Sequence, residues 1–283
     1  MDNFRTLISV QQLADNIDSP ELRIFDCRFD LFDTEKGQNA WRKNHIPGAV
    51  YAHMDRHLSS PVSEETGRHP LPDPDLLRIW LSSSGVDDDT QVVVYDDTGG
   101  NMAVRLWWLL RWLGHERVAV LDGQWQAWEA AGKPLSDTAT PPQAKVFEGE
   151  AQDDMWLSTQ AVQANLDSKN HLVIDVRVHA RFNGEMEPID PIAGHIPGAV
   201  CLPVTGHLDE NGFFKPAEEL KKIYLDLLGT YDADQAVLMC GSGVAACQGL
   251  LAMEIAGLKN GKLFAGSWSE WIRNKSNPIA TNS

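Results

Sequence analysis

Short runs of consecutive apolar residues alternate along this chain with longer stretches in which apolar positions recur every three or four residues. Val92-Val93-Val94-Tyr95, Val118-Ala119-Val120-Leu121, Leu172-Val173-Ile174-Asp175 and Ala236-Val237-Leu238-Met239 are of the first kind, and their length and β-branched content predict buried strands. The stretches 103–113, 220–228 and 245–255 are of the second kind and predict helices. Strands and helices alternating in this order predict an α/β fold with a mainly parallel sheet, whose ligands sit beyond the carboxyl ends of the strands. Trp107, Trp108 and Trp112 fall at helical spacing and read as a face packed on the sheet rather than as an aromatic recognition surface.

The pattern occurs twice. His45-Ile46-Pro47-Gly48-Ala49-Val50 recurs letter for letter at His195-Ile196-Pro197-Gly198-Ala199-Val200. Residues 9–18 resemble 158–167, Ile24-Phe25-Asp26-Cys27-Arg28 resembles Val173-Ile174-Asp175-Val176-Arg177, and Gly123-Gln124-Trp125-Gln126-Ala127-Trp128 matches Gly266-Ser267-Trp268-Ser269-Glu270-Trp271. Four blocks in the same order at nearly constant offset predict two tandem domains. The expected boundaries are 1–137 and 151–283, with a linker over 138–150 that starts in the polar run Ser136-Asp137-Thr138-Ala139-Thr140-Pro141-Pro142-Gln143.

Composition narrows the partners. With 43% hydrophobic residues over 283 positions the chain can bury two cores, and a formal charge of −16 argues against nucleic acid and anionic membrane surfaces. A local pocket can still bind an anion. No apolar run approaches the roughly 20 residues of a membrane span, and residues 1–10 contain no apolar signal segment, so the cytoplasm is the expected compartment. The four cysteines, Cys27, Cys201, Cys240 and Cys247, lack paired metal-ligand spacing and should be free thiols there.

Cys240 carries the candidate chemistry. It ends an apolar run and opens the loop Cys240-Gly241-Ser242-Gly243-Val244 ahead of a predicted helix. Loop N–H groups and the positive end of the helix dipole favour an anion at such a place, and so are expected to draw the thiol towards thiolate. From this segment alone, a buried structural cysteine at a strand end is an equal reading. The matching position in the first half is Asp96, so that loop has lost the nucleophile and one active site per chain is expected.

Taken together, the paired HIPGA segments, the strand-end Asp-x-Arg elements, the paired G-x-W-x-x-W blocks and the Cys loop resemble the tandem-domain rhodanese-type sulfurtransferases over nearly the whole chain. The Cys-Gly-Ser-Gly-Val loop is similar to the 3-mercaptopyruvate version, whereas the thiosulfate version places basic side chains after the cysteine. The resemblance implies a ping-pong reaction without metal or organic cofactor. Cys240 takes sulfur from a small anionic donor, becomes a persulfide, and passes the sulfur to a thiol or cyanide. It also implies that Arg181 binds the carboxylate or sulfonate end of the donor, that Gly241, Gly243 and Val244 of the loop bind the donor with it, and that Ser242 bonds the donor carbonyl, relays a proton or simply fills the turn.

Arg177 has a counterpart in Arg28 of the first half, which favours a structural role. His45 is a candidate proton relay to the loop serine, although its twin His195 makes a structural role the stronger reading. Arg68, in Thr66-Gly67-Arg68-His69-Pro70, is either a cover for the site or a solvated loop residue. Two departures from the family pattern stand out: Glu187-Pro188-Ile189 lacks the second arginine of an E-P-R clamp, and Val244 is followed by Ala245 rather than threonine. The alternatives are a thiosulfate donor, a non-catalytic binding module, and a cysteine phosphatase, which would need an arginine where Ala246 stands.

Overall fold

The computed structural model describes residues 3–282. The chain divides into two compact units. One comprises the chain up to Ser60, Leu71–Gln152 and Glu210–Phe213, and the other comprises Pro61–Pro70, Asp153–Asp209 and the chain from Phe214 onward.

In the first unit five strands, β1 (Leu7–Ile8), β2 (Leu22–Asp26), β3 (Val50–Tyr51), β4 (Gln91–Tyr95) and β5 (Val118–Leu121), form a sheet in the order β1-β5-β4-β2-β3. The second unit repeats it with β6 (Trp156–Leu157), β7 (Leu172–Asp175), β8 (Val200–Cys201), β9 (Ala236–Met239) and β10 (Lys262–Phe264) in the order β6-β10-β9-β7-β8. All paired strands are parallel, with Leu22 to Asp26 in register with Gln91 to Tyr95, and Leu172 to Asp175 with Ala236 to Met239. β4 and β9 are buried along their whole length. Helices on both faces of a parallel sheet leave its strands no polar side, which is why these runs read as continuously apolar.

The helices start and stop close to where the periodicity places them. Ala103–Trp112 packs on β4 and β5, with Trp107, Trp108 and Trp112 buried. Ala217–Leu228 and Ala246–Ile255 flank the second sheet. Ser9 and Ser158 each cap a helix by accepting an N–H three residues on, from Gln12 and Ala161, so the similar segments at 9–18 and 158–167 are the same capped helix used twice. The 138–150 stretch contains no helix or strand. Within it Lys145 donates its N–H to the Ser82 carbonyl at 2.9 Å and its ammonium pairs with Asp87 at 3.0 Å, while the Phe147 side chain is buried.

The remaining repeated blocks build the two cores. Trp125 and Trp128 lie in one apolar cluster with Ile24 and Val93, and Trp268 and Trp271 in the other with Val173 and Val237. Arg28 caps the end of β2 by pairing with Asp26 and lies 4.4 Å over the Trp125 ring, and Arg177 pairs with Asp175 and lies 4.6 Å over Trp268. A further N–H of each guanidinium reaches a backbone carbonyl at 2.7 Å, Asn44 for Arg28 and Gly194 for Arg177. Identical geometry in both units makes these buried pairs part of the framework.

Candidate active site

β9 lies between β10 and β7, so the chain leaving Met239 emerges at the middle of the sheet's carboxyl edge. Cys240 is the first residue beyond it and is 4% exposed. Its N–H donates to Ser267 Oγ at 3.0 Å, its carbonyl accepts from Trp268 N at 3.1 Å, and the Gly241 carbonyl accepts from Ser269 N at 2.9 Å. Ser267 has φ +52° and its hydroxyl donates to the Phe264 carbonyl. Such a conformation costs about 1–3 kcal/mol in a non-glycine residue, and here it is held because the hydroxyl bridges two strand ends. Gly243 has φ +75°, and any Cβ there would collide with the Ala265 carbonyl, so the loop can close only on glycine.

The Ser242 N–H donates towards Cys240 Sγ at 3.5 Å. The Ser242 side chain faces a histidine instead: its Oγ lies 2.9 Å from His69 Nδ1, both residues being buried. Val244 is buried and its carbonyl accepts from Cys247 N at 3.1 Å. Cys240 is thus flanked by a serine–histidine pair built from residues 173 positions apart.

Two arginines stand over Gly241. A Cβ on Gly241 would lie 2.5 Å from Arg68 Nη2, 3.5 Å from Arg181 Nη2 and 3.7 Å from Arg181 Nη1. Arg181 already uses part of its fork, with Nε at 2.9 Å and Nη2 at 2.7 Å from the Glu187 carboxylate, and Nη2 also 3.0 Å from Asp190. Arg68 Nη1 pairs with the other oxygen of Asp190. Among the described residues no hydrogen bond or ion pair reaches Arg181 Nη1, and Arg68 Nε is buried without a partner. Donor groups therefore remain beside the loop for an incoming anion.

The two carboxylates differ. Burial pushes the Asp190 carboxyl above its ordinary range, and the nearby Glu187 charge adds to that against the pull of Arg68 and Arg181. Burial works the same way on Glu187, but its hydrogen bonds from Arg181 outweigh it and hold the carboxyl below the usual range. Arg177 adds a weak 3.4 Å contact to Glu187.

Several sequence expectations are redrawn by these contacts. The histidine against Ser242 is His69, and the expectation of a relay at His45 gives way to it. His45 Nδ1 lies 2.7 Å from the Trp41 carbonyl and its ring stacks on Trp41, as His195 Nδ1 lies 2.8 Å from the Phe182 carbonyl and stacks on Phe182. Both turn their rings inward to hold the same loop. Arg68 is a site-facing residue rather than a solvated one. Its neighbour His69 could have been found from one signal, a basic pair inside the otherwise acidic and Pro-rich stretch 61–75.

The first unit shows the same loop with another occupant. The Asp96 carboxylate accepts from Thr98 N at 2.7 Å, Gly100 N at 2.9 Å, Met102 N at 2.7 Å and Ala103 N at 2.8 Å. Gln124, with φ +59°, accepts from Asp96 N at 2.9 Å, as Ser267 accepts from Cys240 N. Among the described residues no cluster of three or more His, Cys, Asp or Glu side chains is arranged to hold a metal.

The rhodanese-like domain model matches residues 9–131 and 158–274. The chain belongs to the rhodanese family of sulfurtransferases. Among its relatives, a Pseudomonas aeruginosa protein named "Probable 3-mercaptopyruvate sulfurtransferase" is 44% identical over 277 residues, covering 97% of this chain and 98% of that one. The thiosulfate sulfurtransferase of Rattus norvegicus is 32% identical over 282 residues, covering 95% of this chain and 93% of that one. The crystal structure of SseA from Escherichia coli, described as a 3-mercaptopyruvate sulfotransferase, superposes with a TM-score of 0.80 at 31% identity over 95% of this chain and all of that one. Both units of the rhodanese chain thus carry the family fold, and the cysteine loop lies in the second.

Proposed function

We propose that this rhodanese-family chain transfers sulfur from 3-mercaptopyruvate through a persulfide on Cys240 to a thiol or cyanide acceptor. The observation that carries the reading is the convergence on one loop of a buried thiol, the Ser242–His69 pair and the guanidiniums of Arg68 and Arg181. In the first half-reaction the Cys240 thiolate attacks the donor thiol sulfur, an S–S bond forms, and the C–S bond breaks with its electron pair passing to carbon. The proton of the donor thiol ends on that carbon, so the products are the Cys240 persulfide and pyruvate. The Ser242 hydroxyl, backed by His69, bonds the donor carbonyl and passes the proton. Arg68 and Arg181 hold the donor carboxylate. In the second half-reaction an acceptor thiolate or cyanide takes the outer sulfur and the Cys240 thiolate returns. The four unpaired cysteines suit a reducing compartment, and the cytoplasm is the proposed location.

Arg68 changes the weight of the missing E-P-R arginine. Ile189 leaves one guanidinium absent from that segment, and the Pro61–Pro70 segment brings another to Gly241. Arg68→Ala and Arg181→Ala are each expected to lower kcat/KM by about tenfold to a few hundredfold, as for loss of a charge-assisted contact of about 1.5–3 kcal/mol. Arg181→Lys should recover only part, because an ammonium cannot replace the planar fork that also engages Glu187. Normal kcat/KM in both alanine variants, with circular dichroism unchanged, would place the anchor elsewhere.

Donor choice follows from charge balance. The loop itself brings no cation, and Arg68 and Arg181 are already balanced by Asp190 and Glu187, so a singly charged carboxylate suits the site better than doubly charged thiosulfate. Steady-state measurement with both donors, cyanide as acceptor, should give a kcat/KM for 3-mercaptopyruvate roughly tenfold or more above that for thiosulfate. Preference for thiosulfate would replace this donor assignment with the thiosulfate reading.

A further inference from the structure

The segment Pro61–Pro70 packs with the second unit although it belongs to the first half of the sequence. It contains no helix or strand, so its backbone has no ladder to fix it in place. Contacts to side chains help to hold it. Gly67 N–H donates to Glu270 Oε2 at 3.2 Å and Arg68 N–H donates to Ser269 Oγ at 3.1 Å. The next two contacts are those of the candidate site itself, Arg68 with Asp190 and His69 with Ser242.

Glu270 is itself aimed from a second direction. Its Oε1 accepts from the Thr159 hydroxyl at 2.5 Å, which ties the carboxylate to the start of the helix Thr159–Ser168. Close packing adds to the hydrogen bonds: a Cβ on Gly67 would lie 2.7 Å from the Gly266 carbonyl and 2.9 Å from Ser269 Oγ. The strap can sit this low only because residue 67 is glycine.

The internal repeat separates this arrangement from the needs of the fold. The glycine and both tryptophans of G-x-W-x-x-W occur in each unit, and the tryptophans fill each core. Ser269 and Glu270 are replaced in the first unit by Gln126 and Ala127, and that unit builds the same helix and sheet without them. Of the three positions that differ, Ser267 accepts from Cys240 N as Gln124 accepts from Asp96 N, and the other two, Ser269 and Glu270, are those that bind the strap.

We propose that Glu270, assisted by Ser269, is a positioning residue that seats the strap so that Arg68 and His69 stand against the Cys240 loop. This rests on the roles proposed above for Arg68 and His69. Glu270 touches no reacting atom; it acts by fixing the backbone from which those two side chains extend.

The test combines amide hydrogen exchange and kinetics on the full chain. In Glu270→Ala, exchange in a peptide covering 61–70 should rise at least tenfold while that of β9 stays unchanged, and kcat/KM should fall about tenfold. Glu270→Gln keeps an oxygen for Gly67 N–H and an amide for Thr159, so it should restore most of both. Gly67→Ala, whose methyl collides with the Gly266 carbonyl and Ser269 Oγ while the Glu270 carboxylate is kept, should reproduce the exchange pattern of Glu270→Ala. In a chain already carrying Arg68→Ala and His69→Ala, adding Glu270→Ala should lower single-turnover sulfur loading less than twofold, since the side chains being positioned are gone. Unchanged exchange over 61–70 in Glu270→Ala, failure of Glu270→Gln to restore it, or a full tenfold loss in the doubly substituted background would overturn the proposal. Should the chain move no sulfur from either donor, the proposed function falls, and the exchange measurements still decide whether Glu270 seats the strap.

Discussion

Cys240→Ser is expected to abolish sulfur transfer with either donor, by at least about a thousandfold, while Cys27→Ser, Cys201→Ser and Cys247→Ser leave most of the rate. A hydroxyl has neither the nucleophilicity nor the capacity to form a persulfide. The other three thiols are poor candidates on physical grounds. Burial, reinforced by Asp26 and Asp96, pushes the Cys27 thiol well above its ordinary value, and burial pushes Cys201 up to about 12. Cys247 is buried inside the helix Ala246–Ile255, its S–H directed to the Gly243 carbonyl. Incubation with donor, followed by intact-mass and peptide mass spectrometry, should find one added sulfur, and find it on Cys240. Turnover retained in Cys240→Ser, or sulfur located on another cysteine, would sink the assignment.

The second large effect is expected at His69, and it should depend on the donor. Release of pyruvate requires polarising a carbonyl and delivering a proton to carbon, whereas sulfite leaves thiosulfate without a proton. If His69 and Ser242 supply that proton path, His69→Ala should lower kcat with 3-mercaptopyruvate about 10²–10³-fold, within the span of general acid–base contributions. The same variant should lower kcat with thiosulfate less than about fivefold. Ser242→Ala should resemble it, and the double variant should be little worse than either, because groups acting as a unit are not additive. Equal losses with both donors would show that His69 holds the loop in place rather than moving a proton.

Which parts of this were legible in the sequence follows from the range over which each feature acts. The strands, the capped helices at 9–18 and 158–167 and the Cys240 loop depend on residues within one element or its flanks, and apolar periodicity with glycine placement marks them. The repeat supplied long-range information of a second kind. Because Arg28 and Arg177 occur in both halves, their framework role could be inferred before their pairing with Asp26 and Asp175 was seen. Neither source reaches His69. Its partner Ser242 lies 173 residues away, it has no twin in the second half, and an irregular segment carries no periodicity to betray its burial. The same holds for Asp190 and Glu187. Nothing in Glu187-Pro188-Ile189-Asp190 announces that these acids share the guanidiniums of Arg68 and Arg181; only the folded chain brings them together.

Asp96 was legible as a missing thiol, but its four backbone contacts say more than that. The first unit carries its own carboxyl group, covalently attached and held by four N–H groups, so its loop is complete as soon as the chain has folded. At the corresponding place in the second unit the sulfur accepts from Ser242 N–H, and among the described residues the N–H groups Arg68 Nε and Arg181 Nη1 stand nearby without a partner. Small oxyanions in a buffer, sulfate or phosphate as much as any donor, should therefore add stability through the second half alone by mass action. Two halves with one fold differ in this respect: the firmness of the first is written into its covalent structure, and that of the second varies with the salt around it.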